Sequence, residues 1–253
     1  MQRDEANPED RRIAMWSGPR NISTAMMRAW ENRPDTAVVD EPFYACYLAT
    51  SGADHPLRDE VLAAQSSDWH AVSRMLTGRV PGGRRIFYQK HMTHHMLAEA
   101  PLEWLDRVSH AFLIRHPREV AVSYARARDA VPEFDDLGYL RQAELFDRIA
   151  DRCGAAPPVV DAADVLEQPA AALRALCGAL GVPFDERMLA WPAGPRATDG
   201  VWAPHWYQSV WRSTGFGRAA APAEPSPQVL PVIEAALPFY ERLTRHRLRV
   251  GEA

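Results

Sequence analysis

The sequence predicts an α/β fold, with a central parallel sheet covered by helices on both faces in a three-layer α/β/α arrangement. Three observations carry that expectation. Short apolar runs alternate with stretches of helix formers, the signature of βα units. The first apolar run, its turn and the following helical stretch fit within twenty residues. At 253 residues, 47% hydrophobic and 25% charged, the chain has ordinary globular usage and enough length to bury a sizeable core.

Residues 1–11 read as a flexible polar lead-in. Ile13-Ala14-Met15-Trp16 is the first strand, Ser17 to Asn21 a turn, and Ser23 to Glu31 a helix with Ser23 as its N-cap. Ala37 to Asp40 is a second strand broken by Glu41-Pro42, and Pro56 to Thr77 reads as helical up to the glycine-rich stretch from Gly78 to Gly83. Arg85 to Gln89 is the third strand, delivering Lys90 and His91 at its end, and Ala111 to Ile114 the fourth. Pro117 suits the first position of a helix through Arg128. Asp135 to Cys153 is a helix, Val159 to Asp161 a fifth strand, Pro169 to Ala179 a helix stopped by Gly181, and Val229 to Arg247 a closing helix. The expectation is one domain over residues 1–253, in which 192–253 form a loop-rich cap and the final helix.

Charge and cysteine usage narrow the function classes. Twenty-nine Lys+Arg against 33 Asp+Glu leave a net charge of −4, which argues against a nucleic-acid or anionic-membrane partner held by overall field. Any anion site is therefore local. Cys46, Cys153 and Cys177 are odd in number and widely spaced, so neither a disulfide framework nor a CxxC metal knuckle is expected, and the reading is a reduced, cytoplasmic protein. No apolar run approaches the ~18–20 residues needed to cross a bilayer, and the first residues lack a secretory apolar stretch. Lys90 is the lone lysine beside 28 arginines, a place where a compact point charge was kept.

Ligands of open parallel sheets sit beyond the carboxyl ends of the strands. Those ends carry Arg20, Asp40-Glu41, Lys90-His91 and Arg115-His116, so three of four present a cation, as a polyanionic ligand requires. The loop Ser17-Gly18-Pro19-Arg20-Asn21-Ile22-Ser23-Thr24 has the character of a phosphate-cradling turn at a helix start, although a plain βα turn would look similar. It lacks the GK pair of a Walker A loop. Arg115 at a strand end and Ser123 two helical turns later can meet on one phosphate.

On Pro19-Arg20 with Ser23-Thr24, and on Arg115, Pro117-Arg118-Glu119 and Ser123, the chain resembles the sulfotransferases that use 3′-phosphoadenosine 5′-phosphosulfate (PAPS). The resemblance spans roughly residues 12–217 and implies a P-loop NTPase-like sulfotransferase fold. It further implies PAPS as co-substrate, held by Pro19, Arg20, Asn21, Ser23 and Thr24 at the 5′-phosphosulfate and by Arg115 and Ser123 at the 3′-phosphate. Trp211 to Phe216 resembles the loop closing over the nucleotide and makes Arg212 a further 3′-phosphate candidate. Asn21-Ile22 replaces a small Ser-Gly pair and puts a side chain where positive φ is costly. His116 stands where the family commonly has Asp or Asn.

Sulfuryl transfer needs charge stabilised on the leaving oxygen and a base for the acceptor proton. Arg20 and Lys90 are candidates for the first task, and Glu41 or His91 for the second, with the choice left open. No metal is expected: His91, His94 and His95 lack a matching acidic or cysteine set, and His94-His95 reads as an exposed helix start. Late tryptophans, among them Trp191, Trp202, Trp206 and Trp211, fit either an acceptor pocket or the packing of a cap, and Phe43, Tyr44 and Tyr47 either an aromatic acceptor site or a helix face. The expected partner is a small-molecule acceptor with a hydroxyl or amine, and a homodimer is compatible with the sequence. A nucleotide-dependent kinase and a non-catalytic nucleotide-binding relic of the same fold are the competing readings.

Overall fold

The structure, a computed structural model, describes residues 10–217 and 224–251. Most of the expected lead-in, residues 1–9, lies outside the described residues, and Arg11 already belongs to the first strand. Five parallel strands form one sheet in the order β2-β3-β1-β4-β5: β1 Arg11–Ser17, β2 Thr36–Asp40, β3 Ile86–Met92, β4 Ser109–Ile114 and β5 Val159–Asp161. β1 is central because the chain leaves it first towards β2 on one side and later crosses to β4 and β5 on the other. The loops after β1 and β4 therefore diverge at a topological switch point, where such sheets bind ligands.

Alternation along the strands divides the core into two layers. Ile13, Met15, Tyr88, Ala111 and Leu113 pack against α1 Ser23–Glu31 and α8 Pro169–Ala179, with α7 Ala162–Glu167 beside them. Ala14, Trp16, Phe87, Phe112 and Ile114 face α2 Tyr44–Ser51, α4 Trp69–Thr77 and α6 Tyr139–Cys153. α3 Arg58–Ala64 lies beside α2, and α5 Pro117–Arg128 packs against α11 Leu230–Thr244. Two short helices, α9 Ala203–Trp206 and α10 Gln208–Trp211, sit over the end of α2 through Trp202, Ala203 and Tyr207.

Several boundaries differ from expectation for identifiable reasons. The stretch from Pro56 to Thr77 is two helices, because Asp68 accepts the His70 and Ala71 amides at 2.8 and 3.1 Å and starts α4 afresh. Gly138, at φ 69°, separates a 3₁₀ turn at Asp135–Leu137 from α6. Ser23 is not an N-cap: Ile22 holds that position in a left-handed conformation, and no side chain caps α1. Pro117 does open α5, where His116 Nδ1 accepts the Arg118 amide at 3.2 Å. A histidine thus performs the capping that Asp or Asn would perform there.

Candidate functional site

The loop after β1 is stitched to β4 and α5 by three hydrogen bonds. The Asn21 side chain donates to the Leu113 carbonyl at 2.7 Å, Arg115 donates to the Arg20 carbonyl at 2.9 Å, and Arg20 Nε donates to Ser123 Oγ at 3.0 Å. Tyr139 holds the Arg115 carbonyl at 2.7 Å, and Glu119 pairs with Arg115 Nε at 2.7 Å. Gly18 is required where it is, since a Cβ there would stand 2.8 Å from the Leu137 carbonyl oxygen. Arg20 and Ile22 both adopt positive φ, 57° and 49°, a conformation costing about 1–3 kcal/mol each for residues with a side chain. The uncapped first residues of α1, Ser23 to Ala25, line the same cavity as Arg20 and Arg115.

Arg20 has no carboxylate partner among the described residues. Burial, and after it the charge of Arg115, lower its pKa. Two cations held this close, with the single carboxylate of Glu119 on Arg115 and none on Arg20, favour an anionic ligand, which would repay their desolvation. Arg20, Arg115, Ser123, and the Pro19–Thr24 loop all line one cavity of about 380 Å³.

Across that cavity, the ends of β2 and β3 build a buried charge cluster. Asp40 and Lys90 are register partners in the parallel pair. Lys90 Nζ lies 2.8 Å from Asp40, 2.5 Å from Glu41 and 3.0 Å from the Tyr207 hydroxyl. Tyr207 in turn donates to Asp40 at 2.7 Å and accepts from the Trp202 indole at 3.1 Å. Burial opposes the charge on Lys90, but Asp40, Glu41 and Tyr207 raise its pKa well above the usual lysine value, so it stays an ammonium. One ammonium faces two carboxylates. Burial raises the Glu41 pKa and Asp40 adds to the rise, while Lys90 offsets part of it. Glu41 also sits at φ 44°, a third strained backbone at the cavity wall.

Three expectations are corrected. His91 is not at the site: β3 continues to Met92, so His91 points to the face opposite Lys90. There it stacks on Trp16 at 4.5 Å, beside Phe43 and Trp104, and burial holds it neutral. Arg212 is exposed and does not line the cavity, although Ser213 and Gly215 to Gly217 do. His94-His95 is no exposed helix start. Thr93–His95 forms a 3₁₀ turn in which His95 is buried between Tyr44 and Tyr47, its Nε2 3.9 Å from Glu41.

Sequence reasoning also missed Tyr207, which arrives 117 residues after Lys90 and carried no motif, and Arg128 with His55, which line the cavity's outer wall. Of the late tryptophans, Trp202 and Trp206 line the cavity, whereas Trp191 packs on the core. Among the described residues no group of three or more His, Cys, Asp or Glu is placed to hold a metal ion. No helix among them is long and apolar enough to cross a membrane.

The site is thus an arginine-rich cleft at the switch point of a parallel α/β sheet, with a buried acid and lysine on the same cavity. The chain belongs to the sulfotransferase domain family, whose model matches residues 11–247. Two proteins of Arabidopsis thaliana, branched-chain-amino-acid aminotransferase-like proteins 1 and 2, are 38% and 35% identical to it over 242 residues. Those matches take in 92% of this chain but 42% and 41% of the relatives, so the chain spans less than half their length. Among solved structures, the sulfotransferase domain of the Synechococcus PCC 7002 olefin synthase covers 93% of this chain and 97% of its own, at 19% identity and TM-score 0.54. The sulfotransferase domain from the curacin biosynthetic pathway covers 89% and 97% at 14% identity and TM-score 0.53. A sulfotransferase from Alicyclobacillus acidocaldarius covers 94% and 96% at 15% identity and TM-score 0.53. These likenesses establish the P-loop-like sulfotransferase fold.

Proposed function

We propose that the chain transfers a sulfuryl group from PAPS to a hydroxyl or amine of a small-molecule acceptor. The observation that carries this reading is the meeting of Arg20 and Arg115, from the ends of two separate strands, in one cavity that also holds Glu41. Arg20, Ser23, Thr24 and the first amides of α1 suit the 5′-phosphosulfate, and Arg115 with Ser123 the 3′-phosphate. Asn21 supports that loop through its side-chain bond to β4.

In the reaction the acceptor oxygen or nitrogen bonds to sulfur as the bond from sulfur to the bridging phosphate oxygen breaks. Arg20 stabilises the charge growing on that leaving oxygen. Glu41 takes the acceptor proton, since it faces the cavity and has a raised pKa, whereas His91 lies in the core. The three donors of Lys90 are taken by Asp40, Glu41 and Tyr207, so its task is to hold the base rather than to reach the bridging oxygen.

Thermal-shift titration with adenosine 3′,5′-bisphosphate beside ATP–Mg²⁺ tests the donor. Selective stabilisation by the bisphosphate, lost in Arg115→Ala, is the expected result. Stabilisation by ATP–Mg²⁺ alone would instead mark a kinase, and none by either a scaffold without donor binding.

A further inference from the structure

A third arginine, beyond Arg20 and Arg115, reaches the cavity. Arg128 ends α5, and Ser123, Tyr124, Ala127 and Arg128 form one cavity-lining face of that helix. At about 1.5 Å per residue, Arg128 lies roughly 7–8 Å further along the helix than Ser123. Its guanidinium is 4.8 Å from the ring centroid of Trp206 and 5.4 Å from that of Tyr124. Stacking of this kind orients the planar fork while leaving its N–H edge open.

Among the described residues no carboxylate lies within ion-pairing distance of Arg128, unlike Arg115, which has Glu119. The donor phosphates already have Arg20, Arg115, Ser123 and the α1 amides, so this cation is surplus to them. Its neighbours are of another kind: Tyr44, Trp202 and Trp206 line the same cavity. Glu41 lines that cavity too, together with Tyr44 and Arg128.

We infer that Arg128 selects acceptors carrying an anionic oxygen group, a carboxylate or a phosphate, on an aromatic or apolar body whose hydroxyl or amine reaches Glu41. This rests on the sulfotransferase reading above and narrows its acceptor class. The test titrates protein saturated with adenosine 3′,5′-bisphosphate with four phenols of one skeleton: 4-hydroxyphenylacetate, 4-hydroxybenzylphosphonate, 4-hydroxyphenylacetamide and tyramine. Calorimetry should show the better of the two anions binding about tenfold more tightly than the neutral amide, the scale of one charge-assisted hydrogen bond. The tighter of the carboxylate and the phosphonate identifies the group.

That ratio should fall to near one in Arg128→Gln and shift towards tyramine in Arg128→Glu. Arg128 is exposed, so both variants leave the core intact. Equal binding of anion and amide by the unaltered protein, no binding of either anion, or a preference that survives Arg128→Gln overturns the inference. Stabilisation by the bisphosphate is read first: where it is present and the anion preference absent, only the acceptor class falls. Where it is absent, the donor reading falls, and the same ratio measured on the free protein still decides the role of Arg128.

Discussion

Lys90 shows why one lysine persists beside 28 arginines. Three oxygens converge on its ammonium from Asp40, Glu41 and Tyr207, a geometry that a planar fork cannot satisfy in the same buried volume. Lys90→Met should cost about 3–5 kcal/mol in denaturant unfolding, the penalty for stranding buried carboxylates. Lys90→Arg should also lose turnover despite keeping its charge, and normal activity in that variant would show the lysine to be incidental. Glu41 must be deprotonated to act as base, and its pKa is raised by burial and by Asp40. Activity should therefore rise with pH through an acid limb above the ordinary glutamate value of about 4.3. In Glu41→Gln that limb should vanish along with most of the turnover, whereas a limb left in place would assign the proton to another group. Arg20→Ala should lower kcat by about 10²–10³, as loss of a transition-state donor does, with a smaller change in bisphosphate affinity. Equal losses in both would remove its role at the leaving oxygen.

The elements explain which candidates reach the cavity. Residues 90 and 91 are neighbours in sequence, but a strand sends them to opposite faces, so only Lys90 joins the site. The apolar pattern ends β3 at Gln89, and three further residues of pairing with β1, Lys90 to Met92, reverse the fate of His91. His91→Leu should accordingly keep kcat within about twofold while lowering stability by about 1–2 kcal/mol through lost stacking. A collapse of turnover at unchanged stability would return His91 to the chemistry. The first loop was legible in its residues but not in its backbone. Pro19, Arg20, Ser23 and Thr24 do line the cavity, yet Ser23 does not cap α1 and Ile22 accepts positive φ, because the bonds from Asn21 and Arg115 fix the turn. Gly18→Ala should lower both Tm and bisphosphate affinity, since the new methyl meets the Leu137 carbonyl oxygen at 2.8 Å.

For the whole molecule, the parallel sheet, the five strands and the α5 helix were readable because period-2 and period-3.6 patterns are local. The strand order was not. Only the placement of β1 between β3 and β4 brings Arg20 and Arg115 into one cleft and sets Glu41 across from them. Tyr207 and Arg128 were invisible for a related reason: each reaches the cavity through long-range packing, and neither sits at a strand end or in a motif. In the proposed reading each arginine meets a different phosphate of one adenosine. Affinities of AMP and of adenosine 3′,5′-bisphosphate, measured together for the unaltered chain, Arg20→Ala and Arg115→Ala, decide it. The preference for the bisphosphate should disappear in Arg115→Ala and persist in Arg20→Ala as overall binding weakens. A preference that survives Arg115→Ala, or one that Arg20→Ala abolishes, would contradict the assignment.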